Sequence, residues 1–586
     1  MDVKYKKADE REWSKIAING YDVEMLWDSG ASISVMSEEC WKMIGSPTLM
    51  ASKIRLSGVF SKEDEKPLGS VKLIADWNKK RRELSVIIVK KIQPSFIGGV
   101  DTMKQFGVEL KEVNNIDASL VNKMFTDSDR VNFALETFKC DKKSKLGEMI
   151  SEFRTIFMAS RFDLGHTKVV CHEIKTTGPP ILQNPRRQPM HLETKVEELI
   201  QSLLESGVVR KCQSPWNSPL VIVGKPDGSI RMCLDFRQLN AVTEKFSFPM
   251  PDMQLLLDCL SKSKIFSSID LGQAYYQVEL HENSQIKTAF STKEGQFCFN
   301  RLPFGLSTAP ATFQKLMHQI LEGLIFKGVV VYLDDILIYS TNQEEHDKLL
   351  NDVFTRIRDA GLKVNPEKCS FYKKELNFIG HTVSEKGVQT NKRKIAEIES
   401  APEPKNVTQL RSFLGLTNYY RRFIKNYSLI AGPLYAATTG NEKQVVWNEA
   451  CKKSFLNLKK SLCEAPILEF PRSDRLFIID TDASFGAIGA VLSQIREDGS
   501  EGVIAYGSRH LTSHEMGYCV TRKELLALHE FIVYFRQYLY GKKFIARTDH
   551  KALTFMNTTK KPISPQFQTW MANLSEYNFD LQYRKG

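Results

Sequence analysis

The chain has 586 residues, 42% of them hydrophobic and 26% charged, with a formal net charge of +12. That length exceeds what one hydrophobic core serves and points to about three or four domains, while the composition excludes a disordered tail. No apolar run approaches the ~20 residues of a membrane span, and the start MDVKYKKADE has no signal-peptide core. The 11 cysteines are scattered, with no CxxC pair and no Cys/His cluster at zinc spacing. These features predict a soluble, intracellular chain in a reducing compartment. The basic balance suits a polyanionic partner, although many basic proteins bind no nucleic acid.

From Trp13 to about Leu110, short strands such as SKIAING, YDVEMLWD and ELSVIIV alternate with turn residues and charges, which reads as a small all-β domain. Asp28-Ser29-Gly30-Ala31 directly follows an apolar strand, and FIGGVDTMKQFG comes at 96–107. A DSG triplet alone is common by chance. With the preceding strand and the later tract, it resembles the half-size aspartic proteases of retroelements. That resemblance implies a retropepsin-like domain over 10–114, with Asp28 catalytic and Leu56 to Leu68, bent at Gly58, as its flap. One Asp per chain cannot be both acid and base, so the implied protease is a homodimer whose two Asp28 share a proton and which cuts polyprotein cleavage sites. NKKRR at 78–82, between two strands, reads as a solvated hairpin turn.

Residues 115–189 have weak periodicity, end in GPPILQNPRRQP and predict a linker or extended arm. Val196, Leu199, Ile200, Leu203 and Leu204 then mark one face of a helix, and Gly207 stands where a C′ glycine would stop it. Strands and helices alternate from there to about 385, in the manner of a large α/β or α+β domain.

Asp270 ends the apolar strand of KIFSSIDLGQAYYQVEL, and Asp334-Asp335 lie between apolar β-favouring runs in VVVYLDDILIYS. An Asp-Asp pair can simply make a turn. It can also push two carboxylates into one small volume, which then calls for a divalent cation. A polymerase needs a further carboxylate from a second strand to clamp two Mg²⁺ ions, one activating a primer 3′-hydroxyl and one holding the triphosphate. Asp270 completes such a set.

The tracts SPWNSPLVIVGKPDGSIRMCLDFRQLN, IDLGQAYYQV, LPFGLSTAPATFQ and YLDDILIYS, in this order, resemble the reverse transcriptases of gypsy-like long-terminal-repeat retrotransposons over roughly 190–430. The resemblance implies a right-hand fold, with fingers and palm over 190–384 and a thumb or connection region over 385–465. It implies Asp270, Asp334 and Asp335 as metal ligands for Mg²⁺, with Mn²⁺ as a substitute. Lys225 and Arg231 match the fingers residues that grip a dNTP, and Tyr275 matches the aromatic gate against a ribose 2′-hydroxyl. Phe304 and Gly305 match the loop beneath the nucleotide. Phe378-Ile379-Gly380-His381 resembles the primer-grip hairpin, whereas Asp235 reads as an ion pair within the fingers.

APEPKN at 401–406 predicts a hinge, followed by the aromatic-rich helix RSFLGLTNYYRRFI. In the final stretch Asp482 ends the strand of LFIIDTDASFGAIGAVL, Glu524 lies in the helix TRKELLALHEFIVYFRQYL, and Asp549 follows the strand FIARTD. Singly each reads as a surface acid. As a set, with VIAYGSRHLT and RTDHKAL, they resemble the α/β ribonuclease H domain of these elements, implied over 466–586 with the same three residues as metal ligands. His510 and His514 read as bystanders. The family places a fourth aspartate beyond the LQYRKG tract, so its last helix is expected to be missing here and nuclease activity to suffer.

The expected protein is thus a multidomain Pol polyprotein piece with protease, RNA-directed DNA polymerase and ribonuclease H parts. Its expected partners are RNA and DNA primer–template, RNA–DNA hybrid and dNTPs, with no membrane. Its expected location is cytoplasmic particles, with nuclear access open. A decayed or host-recruited copy that binds nucleic acid without chemistry is the competing reading, and the seven intact carboxylates weigh against it.

Overall fold

A computed structural model describes residues 13–27, 34–50, 67–77, 80–90, 95–98, 100–106, 127–224, 230–439, 444–558 and 565–585. The chain divides into two compact units, Met1–Ile116 and Asp117–Gly586.

The first unit is a closed six-stranded barrel. Strands Trp13–Ile18 and Tyr21–Trp27 form a hairpin, as do Gly69–Trp77 and Lys80–Val89. Their alternation is that of half-buried strands: Val71, Leu73 and Ala75 point inward between exposed neighbours. Trp77 pairs with Lys80, and Lys80, Arg81 and Arg82 of the basic NKKRR tract lie on the second strand of this pair. Phe96–Gly98 runs parallel to Tyr21–Trp27, pairing Leu26 with Ile97, and leads into the helix Val100–Phe106. Asp28 and the expected flap from Leu56 through Lys66 lie outside the described residues.

In the second unit, the expected helix spans Glu193–Glu205 and buries Val196, Ile200 and Leu203. Gly207, at φ 68°, ends it, with its N–H on the Leu204 carbonyl and that of Val208 on the Leu203 carbonyl. The central sheet is antiparallel, in the order Val329–Tyr332, Asp335–Ser340, Ile265–Asp270, Ser370–Lys373. The helices Ala309–Ile320 and Gln343–Asp359 bury their apolar faces alongside it, and a phenylalanine-rich core of Phe290, Phe297, Phe299, Phe313 and Phe354 fills this region.

The expected arm over 115–189 is a different object in its described part. Helices Asp127–Phe138 and Lys145–Glu152 and strand Thr167–His172 join the core around the central sheet, the strand pairing in parallel with Val278–Leu280. Arg130, 6% exposed, meets Asp163, 1% exposed, which also takes the Lys363 ammonium. Buried carboxylates need such partners, and this one ties the segment to Lys363, 200 residues on. The weak periodicity of the arm reflects short elements, each packed by residues far away in sequence.

Buried residues between 376 and 470 share a second core with Leu256, Phe266 and Leu337, which lie on or beside the central sheet. The expected hinge at 401–406 is tied down: Trp447 Nε1 donates to the Pro404 carbonyl at 3.0 Å and Lys459 Nζ to the Ala401 carbonyl at 2.9 Å. The last region is a five-stranded sheet in the order Glu501–His510, Ala487–Ile495, Phe477–Ala483, Lys543–Thr548, Asn578–Tyr583. The first three strands are antiparallel and the last two parallel, with the helix Val520–Tyr534 packed on a core of its own. Among the described residues, no helix is long and apolar enough to cross a membrane.

Candidate active sites

In the palm, strand register does what sequence spacing could not. Asp270 pairs directly with Asp335 across the antiparallel strands. Tyr332 pairs with Asp335, so Leu333 and Asp334 form a two-residue loop, with Leu333 at φ 56°. This loop is held from behind by Gln314, fully buried on Ala309–Ile320, whose Oε1 accepts the Leu333 N–H at 2.8 Å. Sequence reasoning passed over Gln314; a lone amide on a helix face otherwise built of Phe313, Leu316 and Met317 was its signal.

The three carboxylates repel one another. Partial desolvation first, then the charges of Asp334 and Asp270, push Asp335 up to about 6. Asp270 is also raised, chiefly by burial, against the pull of Lys368, whose Nζ lies 3.3 Å from Oδ2. Lys368 was not singled out from sequence, and no local pattern marks it; it is 98 residues from its partner.

Just past Asp270 the chain turns sharply. Gly272 packs so closely that a Cβ there would sit 2.0 Å from Met158 Sδ. Buried Gln277 donates to the Gly272 and Lys363 carbonyls and accepts from the Lys363 N–H. This bend delivers Tyr275, half-buried, edge-on to Phe304 at 5.0 Å and to Phe313 at 5.6 Å. Phe304 is exposed at its tip, and Gly305 stands at φ 102°. Asn240 pins this loop, donating to the Gly305 carbonyl at 2.9 Å and accepting from the Ser307 N–H. Tyr275, Phe304 and Gly305 are therefore brought together.

The fingers residues are placed less fully. Arg231 pairs with Val223 in the hairpin Leu220–Gly224/Ile230–Leu234. Its side chain, and Lys225 altogether, lie outside the described residues. Asp235 is the expected ion pair: Arg237 grips it at 2.7 and 2.8 Å and Arg186 at 2.9 Å. Hydrogen bonds from Arg237 draw its carboxyl down to about 2.

The second cluster is tighter. Asp482 on the central strand, Glu524 on the helix and Asp549 just past Lys543–Thr548 offer ligand atoms all within 4.8 Å of one another. No other such group of three occurs among the described residues. Glu524 is 3% exposed, and its Oε1 accepts the Ala483 N–H at 3.2 Å. Its Oε2 is buried with no protein partner. Burial, then Asp549 and Asp482, push Glu524 up to about 8. An orphaned buried oxygen in a ring of repelling carboxylates fits a divalent cation. His514 faces Tyr518 instead, at 3.2 Å, and is not in this group.

The palm and the mixed sheet thus define a reverse transcriptase joined to a ribonuclease H-like domain. Residues 223–383 match the family "Reverse transcriptase (RNA-dependent DNA polymerase)" and residues 472–577 match "RNase H-like domain found in reverse transcriptase". The chain is 39% identical over 460 residues to the retrovirus-related Pol polyprotein from transposon 297 of Drosophila melanogaster, covering 78% of this chain and 43% of that protein. It is 32% identical over 464 residues to the Pol polyprotein from transposon gypsy of the same organism, 76% and 44%. Against the transposon Tf2-3 polyprotein of Schizosaccharomyces pombe it is 29% identical over 574 residues, 96% and 42%. The chain is thus similar to the Pol polyproteins of gypsy-type retrotransposons and spans less than half the length of these relatives. In fold it is similar to a foamy viral protease–reverse transcriptase solved with double-stranded DNA, at a TM-score of 0.70, 21% identity and coverage of 98% of this chain and 99% of that one. A foamy viral protease–reverse transcriptase solved with an RNA/DNA hybrid aligns at a TM-score of 0.65 and 21% identity, over 98% of this chain and 76% of that one.

Proposed function

We propose that the chain copies RNA into DNA, and that the register of Asp270 against Asp335 beside the Asp334 loop is the observation that carries this reading. Asp270, Asp334 and Asp335 would hold the cation. Bound Mg²⁺, or Mn²⁺ in its place, would supply the Lewis acidity that activates a primer 3′-hydroxyl and steadies the departing pyrophosphate. Tyr275, braced by Phe304 and Phe313, fills the space a 2′-hydroxyl would need, so dNTPs are selected. Phe304 and Gly305 floor the nucleotide site, and Lys225 and Arg231 grip the triphosphate from the fingers.

Asp482, Glu524 and Asp549 act on the RNA strand of the hybrid left by synthesis, and the buried, partnerless Glu524 oxygen supports a cation there. The amino-terminal barrel acts as an aspartic protease when two copies pair, each giving one Asp28. The parallel pairing of Phe96–Gly98 with the strand that runs toward Asp28 supports this reading. RNA and DNA primer–template, the hybrid and dNTPs are the ligands, the polyprotein's own junctions are the protease substrates, and cytoplasmic particles are the location.

The test is dTTP incorporation on an RNA template with a DNA primer in Mg²⁺. Incorporation that vanishes in Asp334→Asn is the expected result. A folded, hybrid-binding chain that incorporates nothing would sink the polymerase reading.

A further inference from the structure

The helix Val407–Tyr419 and the residue after it end in two tyrosines whose hydroxyls reach back to a single turn. Tyr419 Oη donates to the Ile379 carbonyl at 2.5 Å, and Tyr420 Oη donates to the Gly380 carbonyl at 2.6 Å. His381 Nδ1 lies 2.8 Å from the same Ile379 carbonyl, and its ring stacks on Phe423. The turn joins Glu375–Phe378 to His381–Ser384, with Phe378 paired to His381. Ile379 has φ 43° and Gly380 φ 69°. Both signs suit a two-residue hairpin turn, but Asn-Gly is the dipeptide that adopts it unaided. A β-branched residue in the left-handed region persists only where outside contacts over-determine it.

The two hydroxyls are dependable donors. Burial, and after it the Tyr332 phenol, push Tyr419 up, and burial takes Tyr420 up to about 12. Tyr332 immediately precedes the Leu333-Asp334 loop, and Tyr332, Ile379 and Tyr419 pack against one core. Strand Glu375–Phe378, which leads into the clamped turn, packs against Ile265–Asp270, the strand that ends in Asp270, and Gly380 is exposed at the tip of the turn.

We infer that Tyr419 and Tyr420 are positioning residues for the primer strand: by clamping the Ile379-Gly380 turn from the thumb, they set where the primer 3′ end rests relative to Asp334. The inference rests on the polymerase reading above. It gives the aromatic helix Val407–Tyr419 a task in synthesis, because a thumb that moves carries the turn with it.

In the full chain, Tyr419→Phe and Tyr420→Phe keep both rings and remove only the hydroxyls. Nucleotides added per binding event, measured with a heparin trap, are expected to fall about fivefold for each change, as for the loss of one net hydrogen bond. The dNTP KM is expected to hold, which a general loss of structure would not allow. Ile379→Asn, giving the Asn-Gly turn, is expected to restore processivity in the Tyr419→Phe background. Hydrogen exchange of the 378–382 amides should quicken in the tyrosine variants and slow again in that double variant. Tyr419, the less buried of the two, carries the test if Tyr420→Phe does not fold. Unchanged processivity together with unchanged exchange overturns the inference. An unmodified chain that extends no primer sinks the polymerase reading instead, and exchange alone then decides whether the clamp exists.

Discussion

The two carboxylate clusters of this chain are built on opposite plans. In the palm, two antiparallel strands bring Asp270 and Asp335 into register and leave Asp334 exposed on a loop, with Lys368 as a built-in counterion. In the carboxy-terminal sheet, a helix drives Glu524 into a buried position between Asp482 and Asp549, and no lysine or arginine pairs with that trio among the described ion pairs. The palm set is open and partly neutralised by the protein, so Asp335 rises only to about 6. The second set crowds exposed Asp482 and Asp549 against buried Glu524, which rises to about 8. A site with a protein counterion tolerates the absence of a cation; one that buries a carboxyl beside two others with no such counterion stores repulsion that either a proton or a cation must relieve.

The largest test of this contrast separates the two sites. Asp335→Asn is expected to cut dNTP incorporation on the order of a thousandfold while leaving hybrid cleavage in place, and Asp549→Asn to do the reverse. Primer extension and labelled-RNA cleavage on one hybrid measure both; a variant that loses both activities together would show the clusters to be one functional unit. Next in size, Tyr275→Val should weaken discrimination against ribonucleotides by about tenfold or more, read as the ratio of kcat/KM for dTTP and UTP. An unchanged ratio would return Tyr275 to the role of a packing residue.

Stability against pH sharpens the comparison further. The folded-state pKa of Glu524 is raised, so the folded chain binds a proton the unfolded chain has released between about 4.5 and 8. Stability from this group is therefore present at low pH and lost as pH rises toward 8. The metal-free chain should melt a few degrees lower at pH 8.5 than at pH 6.5, and Mg²⁺ should recover most of the difference. Glu524→Gln should flatten both responses, and calorimetry that shows the same slope in this variant would remove Glu524 as the cause. Smallest is Lys368→Gln. Removing an exposed competing cation should lower the Mg²⁺ concentration for half-maximal incorporation by about twofold, the scale of a surface ion pair. A higher requirement would mean that Lys368 helps to hold substrate.

Much of this protein was legible in its sequence because its chemistry sits on short, strongly patterned segments. Apolar runs ending in Asp270 and Asp482, and the two apolar runs flanking Asp334-Asp335, announced strands with carboxylates at their ends, and the helix Glu193–Glu205 was readable down to its stopping glycine. Period and capping are local properties, so a sequence states them directly. The elements within the expected arm over 115–189 escape the sequence for the complementary reason. Its helices are short, and what holds Arg130 in place is an aspartate 33 residues on and the lysine that shares it.

By itself, then, the sequence determined that a reverse transcriptase-like part precedes a ribonuclease H-like part, where the strongly patterned strands and helices run, and which acidic residues are candidates for each site. Only the tertiary structure decided that Asp270 stands opposite Asp335, that Lys368 joins them, that Gln314 props the loop from behind, and that two thumb tyrosines grip a palm hairpin. Each of these depends on register or on packing between segments far apart in the chain. A one-residue slip would turn the carboxylates to the other face without altering a single letter of the local pattern.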